Sequence, residues 1–215
     1  MTVPRIGVLS LQGDFGRHRA SLEALGVEVV RVVLPEHLEG VDALVMPGGE
    51  STTMLRIMGA TGLRTPLAAF VRERPVLGTC AGVILLGVEA GGLPAPPLAA
   101  LDVSVERNAY GRQVDSFAAP IEVPVLGGTF PGVFIRAPRI RRVGAAVEVI
   151  ARRAGGPLAG EPVGVRSGRV VGLCFHPELT SDLRLHRWFL TEVAGLALPD
   201  TSAGAPAGAR REEAA

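Results

Sequence analysis

Three short segments carry the residue types that covalent chemistry uses: VLGTCAGVILLG around Cys80, GLCFHPELT (172–180) and MPGGEST (46–52). In the first, an apolar run ends at Gly78, Thr79 precedes the cysteine, and Ala81-Gly82 open a helical stretch. That order predicts a nucleophile elbow, a tight strand-to-helix turn that lifts a nucleophile above the sheet edge and needs small neighbours because it is crowded. A helix N-terminus favours thiolate, and the next N–H can stabilise an oxyanion. A buried structural cysteine suits the same local pattern equally well.

In the second segment, His176 and Glu178 are two apart around Pro177. In an extended segment such residues project to one side. Glu178 could then accept from one ring nitrogen and leave the other to serve a thiol as base. Alone, this segment reads more simply as a strand-end histidine beside a solvated glutamate. The third segment places two glycines after an apolar run, where the backbone can approach a ligand and its N–H groups can form an anion nest. Glu50-Ser51 equally suit a helix cap. A Walker phosphate loop is excluded: no G-x-x-x-x-G-K-[ST] occurs, and the chain has no lysine.

The elements that must position these residues alternate. Residues 5–11, 27–33, 41–47 and 74–79 read as strands; 14–25, 51–60, 66–72 and 81–87 read as helical, with Asp14 as N-cap and Gly26 as stop. Such alternation predicts an α/β fold with a mainly parallel sheet covered on both faces. From about residue 101 the texture changes to short extended runs broken by Gly and Pro: LDVSVERN, PIEVPVLG, GVFIRAP, AAVEVIARR, EPVGVR and RVVGLCF. These predict an antiparallel extension. A helix over 182–196, with Leu185, Phe189, Val193 and Leu196 as its core face, closes a single domain over 1–197. The stretch 198–215 has little to bury and reads as a mobile tail.

With 215 residues, 47% hydrophobic and 20% charged, the chain can bury an ordinary core. A net charge of +1 argues against a dedicated nucleic-acid binder. Two cysteines are too few for a disulfide scaffold, and no apolar run approaches a membrane span, so a reducing cytoplasm is expected. Cys174 reads as a core cysteine, with no ligand set around it to complete a zinc site. His37 and His186 read as solvated, and His18 as a polar contact near a partner surface. The run RAPRIRRV (136–143) reads as a solvated face.

Taken in order on an α/β scaffold, PGGES, GTCAG and FHPE resemble the class I glutamine amidotransferases, a flavodoxin-like three-layer family. IGVLSLQGD (6–14), MPGGESTTM (46–54), GTCAGVILL (78–86), VERNAYGRQVDSF (105–117), VFIRAP (133–138) and FHPELTSD (175–182) sharpen the likeness to the glutaminase subunits of pyridoxal 5′-phosphate synthase. The resemblance implies hydrolysis of L-glutamine to glutamate and ammonia, with ammonia passed to a synthase subunit in a large hetero-oligomer. It implies Cys80 as nucleophile, His176 as acid–base and Glu178 as its orienting partner. Gly49 and Ala81 are the oxyanion-hole candidates. Gly48, Gly49, Glu50, Arg107, Ile135 and Arg136 would hold the substrate, and no metal or organic cofactor is implied. Gln12-Gly13 would lie toward the partner.

Two departures stand out. Relatives commonly carry Arg-Glu before the histidine where this chain has Gly16-Arg17-His18, and a longer Met or Leu where it has Val83. Two other readings compete. A glutaminase feeding another synthase, such as imidazole glycerol phosphate synthase, would usually read G-x-C-L-G-M-Q at the elbow. A non-catalytic thiol sensor would need neither His176 nor Glu178.

Overall fold

The computed structural model describes residues 2–13, 15–109 and 116–199. The expected cap at Asp14, the stretch 110–115 of the RNAYGRQ motif and the tail from residue 200 lie outside the described residues.

The parallel half is built from β1 (Arg5–Leu9), β2 (Glu28–Val32), β3 (Ala43–Met46) and β4 (Val76–Thr79), joined through α1 (Phe15–Glu23), α2 (Ser51–Ala60) and α3 (Arg64–Glu73). After β4 the chain turns directly into α4 (Ala81–Leu86), whose six residues are all buried. Short strands β5 (Glu89–Ala90) and β6 (Val103–Glu106) follow. Then come β7 (Ser116–Val123), β8 (Gly128–Ile135), β9 (Arg139–Val143), β10 (Glu148–Arg153), β11 (Pro162–Ser167) and β12 (Val170–Leu173). One nine-stranded sheet runs β2-β1-β3-β4-β12-β11-β10-β7-β8, and β5-β6-β9 form a second, three-stranded sheet.

Pairing from β2 to β12 is parallel, and from β12 to β8 antiparallel. Burial follows from that change. β3, β4 and β12 are buried at every position because helices cover both faces, whereas β7 alternates exposed and covered residues along most of its length. The fully buried side chains include Leu44, Met46, Met54 and Phe175. Truncating a leucine such as Leu44 in this core would cost about 2–5 kcal/mol.

Two sequence expectations are corrected. RVVGLCF does not belong to the antiparallel edge: its strand β12 lies in the middle of the sheet, parallel to β4 with Leu173 opposite Thr79. Its unbroken apolar run is the mark of a strand buried on both faces. The terminal helix is shorter than expected. α5 (Arg184–Trp188) passes into a π-helical turn at Phe189–Val193, with the Ala194 N–H donating to Phe189 O at 2.9 Å. RAPRIRRV contains β9, which pairs with β6; Arg141 and Arg142 reach across to Glu106 and Asp102.

Candidate active site

Four chain segments leave the carboxyl ends of the parallel strands and converge there, the edge where open α/β sheets hold ligands. Gln12-Gly13 follow β1, Gly48-Gly49 follow β3, Cys80 follows β4 and His176 follows β12. Two further segments reach in from the other side: Arg107-Asn108 after β6, and Ile135-Arg136 at and after the end of β8. Together they line a cavity of about 400 Å³.

Cys80 occupies the expected elbow. Its φ of 49° lies in the left-handed region, which costs a non-glycine residue of order 1–3 kcal/mol. Neighbours hold the turn in place. The Cys80 N–H donates to Leu173 O of β12 at 2.8 Å, and a Cβ on Gly82 would stand 2.2 Å from Met46 O. Only glycine lets α4 start so close to β3. The thiol faces Ile135 O at 3.9 Å.

His176 is brought in from β12, and its N–H donates to Val133 O of β8 at 2.8 Å. The link to Glu178 is not an extended segment, as the sequence reading expected. Pro177–Leu179 form a short 3-10 turn with His176 at its cap, because proline suits the first helical position. The turn still joins the two groups: His176 Nδ1 lies 2.7 Å from Glu178 Oε1. A carboxylate can only accept, so the Nδ1–H donates and the bare nitrogen of the neutral ring is Nε2. That Nε2 is buried and has no hydrogen-bond partner among the described residues.

Gly48 sits between His176 and Cys80. A Cβ there would lie 2.4 Å from His176 Cε1 and 3.2 Å from Cys80 Cβ. The thiol and imidazole, far apart in sequence, thus meet over a backbone that must lack a side chain. Burial disfavours charge on His176, but Cys80 and Glu178 beside it more than compensate and raise its pKa to about 10. For Glu178, burial works against ionisation, while His18 and His176 hold the carboxyl well below the ordinary carboxylate range.

The remaining expected site residues fall around this core. Gly48, Gly49, Glu50, Arg107, Ile135 and Arg136 all line the cavity. The Glu50 side chain does the capping work that the sequence also allowed. It accepts the Thr53 N–H at 2.8 Å and the Thr52 N–H at 3.3 Å, along with both threonine hydroxyls, which lower its pKa to about 2. Its carboxylate also lies 3.5 Å from Arg107, whose other nitrogen donates to Gly92 O at 3.0 Å. Ala81 is the first residue of α4, a position whose N–H has no acceptor within the helix. Glu178 is not on the cavity wall; it stands behind His176, 4% exposed.

Ser51, Ile84 and Asn108, to which the sequence reading gave no site role, also line the cavity, as does Gln12. The Gln12 side-chain carbonyl accepts the Glu50 N–H and so ties the β1 loop to the β3 loop. Two histidines were misread. His186 is not solvated but fully buried, and its pKa falls to about 3, mainly through burial. His18, expected at a partner surface, is fully buried against Thr79, Glu178 and His186. His37 is half-buried, and its Nδ1 accepts the N–H groups of Val33 and Leu34. Cys174 is a fully buried core thiol, as expected, with its pKa pushed up by burial.

Among the described residues no group of three or more His, Cys, Asp or Glu is placed to hold a metal ion, and no helix is long and apolar enough to cross a membrane.

The model of the SNO glutamine amidotransferase family matches residues 8–195. A pyridoxal 5′-phosphate synthase subunit PdxT of Thermotoga neapolitana is 50% identical over 191 residues, 88% of this chain and 99% of that protein. The PdxT of Thermus thermophilus is 50% identical over 194 residues, 89% of this chain and 98% of the relative. A crystal structure of a glutamine amidotransferase superposes with a TM-score of 0.81 at 49% identity, covering 89% of this chain and 99% of the other. PurLQS from Thermotoga maritima, at 18% identity and a TM-score of 0.67, shares the fold.

Proposed function

The chain belongs to the SNO glutamine amidotransferase family, and we propose that it is the glutaminase subunit of a pyridoxal 5′-phosphate synthase, releasing ammonia from L-glutamine through Cys80, His176 and Glu178. The observation that carries the mechanism is the placement of Cys80 and His176 on either side of Gly48 in one cavity. Nε2 of the imidazole is without a partner among the described residues, and Nδ1 is tied to Glu178.

Cys80 first gives its proton to His176 Nε2, a transfer that the raised pKa of the ring favours, and the Sγ thiolate then attacks the side-chain amide carbon of glutamine. The carbonyl oxygen becomes an oxyanion, received by the N–H groups of Gly49 and Ala81; losing one such donor costs about 2.7–4 kcal/mol in comparable enzymes. His176 then gives its proton to the departing nitrogen, and ammonia leaves a γ-glutamyl thioester on Cys80. A water that loses a proton to the same Nε2 attacks the thioester, and the proton returns to the sulfur as glutamate leaves. Throughout, Glu178 keeps the ring in the Nδ1–H tautomer and stabilises its charged form.

Arg107 suits the substrate α-carboxylate because a guanidinium can bind it through two parallel bonds. Gly48, Gly49, Ile135 and Arg136 supply backbone around the amino acid, and Glu50 holds Arg107 in place while capping α2. The ammonia acceptor is a synthase subunit of the PdxS type in a hetero-oligomer, as the relatives' role as synthase subunits implies. Residues 1–197 act as one glutaminase unit. Two free thiols, one of them the nucleophile, suit the cytoplasm.

The test is ammonia release from L-glutamine by the purified chain, alone and with its synthase subunit. Turnover that disappears in Cys80→Ala is expected; turnover that survives it rules the mechanism out.

A further inference from the structure

Behind the catalytic set lies a second imidazole for which the mechanism has so far no use. His18 Nε2 stands 3.1 Å from Glu178 Oε2 and 3.1 Å from Thr79 Oγ1, and His18 Nδ1 stands 3.1 Å from His186 Nε2. All of these side chains are buried. They come from α1, the last residue of β4, the turn after β12, and α5, so the contact ties four separate elements together.

The proton positions follow from the partners. A bare Nε2 facing a carboxylate oxygen at this distance would set lone pair against lone pair, so Nε2 carries the hydrogen. It aims that hydrogen at Thr79 Oγ1, and Glu178 Oε2 lies beside that line, 3.1 Å from Nε2 and without an aligned donor among the described residues. His18 Nδ1 then accepts from His186 Nε2–H. His186 Nδ1, which has no hydrogen-bond partner among the described residues, is left as a bare acceptor, which is cheaper to bury than an unpaired N–H. Every hydrogen in the chain His186–His18–Glu178 thus points toward the carboxylate.

We infer that His18 is a positioning residue for glutamine hydrolysis: its Nε2–H, set by His186, fixes the far oxygen of Glu178 and so holds the ring of His176. This rests on the reading of Cys80, His176 and Glu178 as the catalytic set. The titratable groups packed around Glu178 are His176 and His18, with Cys80 beyond the first and His186 beyond the second. With His18 gone, the buried carboxylate keeps its hydrogen bond from His176 and loses the N–H that faces its other oxygen at 3.1 Å. It becomes easier to protonate or to rotate away, and the charged form of His176 loses support.

The experiment compares His18→Phe with His18→Gln, whose amide can still donate to Glu178, by steady-state hydrolysis and by the pH midpoint of Cys80 alkylation with iodoacetamide. His18→Phe is expected to lower kcat by about tenfold or more with KM little changed, a fraction of the about 10²–10⁴-fold that a positioned acid–base supplies. Its alkylation midpoint should move to higher pH by about half to one unit, the size of one hydrogen bond to a charged group. His18→Gln should recover most of both. If His18→Phe does not fold, His18→Gln with a near-wild-type kcat and midpoint, set beside an impaired His18→Ala, carries the same test. A folded His18→Phe with unchanged kcat and midpoint overturns the inference, as does a folded His18→Gln as impaired as the loss variants. Alkylation needs no glutamine, so a chain inert toward glutamine would defeat the functional reading while the midpoints still decide the role of His18.

Discussion

The two edges of the His176 ring face different worlds. On one side Nε2 looks past Gly48 to Cys80 and an open cavity that Gly13, Gly48 and Gly49 help to line. On the other, Nδ1 looks into the buried interior where Glu178, His18 and His186 follow one another. The front needs room, because substrate and water must reach the sulfur, and space is made by omitting side chains. The back needs rigidity, because a carboxylate in a low-dielectric interior is useful only if it stays ionised and does not move. One imidazole joins the two, and charge set in the interior is felt at the nucleophile.

The sharpest way to break that contrast is from behind. Glu178→Gln keeps the shape but removes the charge and can present an N–H to Nδ1, favouring the wrong tautomer. A loss of about 10²–10⁴-fold in kcat with little change in KM is expected from steady-state kinetics. A fully active Glu178→Gln would mean that His176 needs no carboxylate. Next comes the front. Gly48→Ala places a methyl against His176 Cε1, and displacing a catalytic group by about 1 Å can cost about 10²-fold in rate. A crystal structure of the variant should show the ring shifted while Glu178 stays in place.

These two expectations also mark how far the sequence alone could reach. Cys80 and the glycines at 48, 49, 78 and 82 were legible because an elbow and a close backbone approach demand small residues in a fixed local order. The pairing of His176 with Glu178 was legible as proximity, though a 3-10 turn rather than an extended strand brings it about. His18 and His186 were not legible. Their burial depends on each other and on Glu178, across elements distant in the chain, and a histidine beside an apolar helix face looks the same whether it meets water or another imidazole. The central place of β12 was within reach. Its unbroken Val-Val-Gly-Leu run is what a strand buried on both faces requires, yet its neighbours in sequence are the half-exposed strands of the antiparallel edge.

Farther from the ring, effects should shrink and change character. Arg107→Ala removes a cavity cation without touching His176, so KM for glutamine should rise by about tenfold or more with kcat nearly retained, the size of one charge-assisted hydrogen bond. A large fall in kcat instead would place Arg107 in the chemistry.

The smallest effect is on stability, and it separates front from back by pH. The folded pKa of His186 is depressed from 6.5 to about 3, so its contribution is present above pH 6.5 and lost as pH falls toward 3. That of His176 is raised from 6.5 to about 10, so its contribution is present below pH 6.5 and lost as pH rises through about 10. Urea unfolding across this range should give a dome. His186→Phe should flatten its acid arm, and His176→Ala its alkaline arm.

The most direct measurement is labelling with a glutamine analogue that carries a diazoketone in place of the amide, followed by peptide mass mapping. Such a reagent reports which nucleophile a bound glutamine meets. The expected result is one adduct on Cys80, none on Cys174, protection by L-glutamine and no labelling in Cys80→Ala. An adduct on another residue, formed as readily in Cys80→Ala and with ammonia release intact, would contradict a nucleophile poised at Cys80.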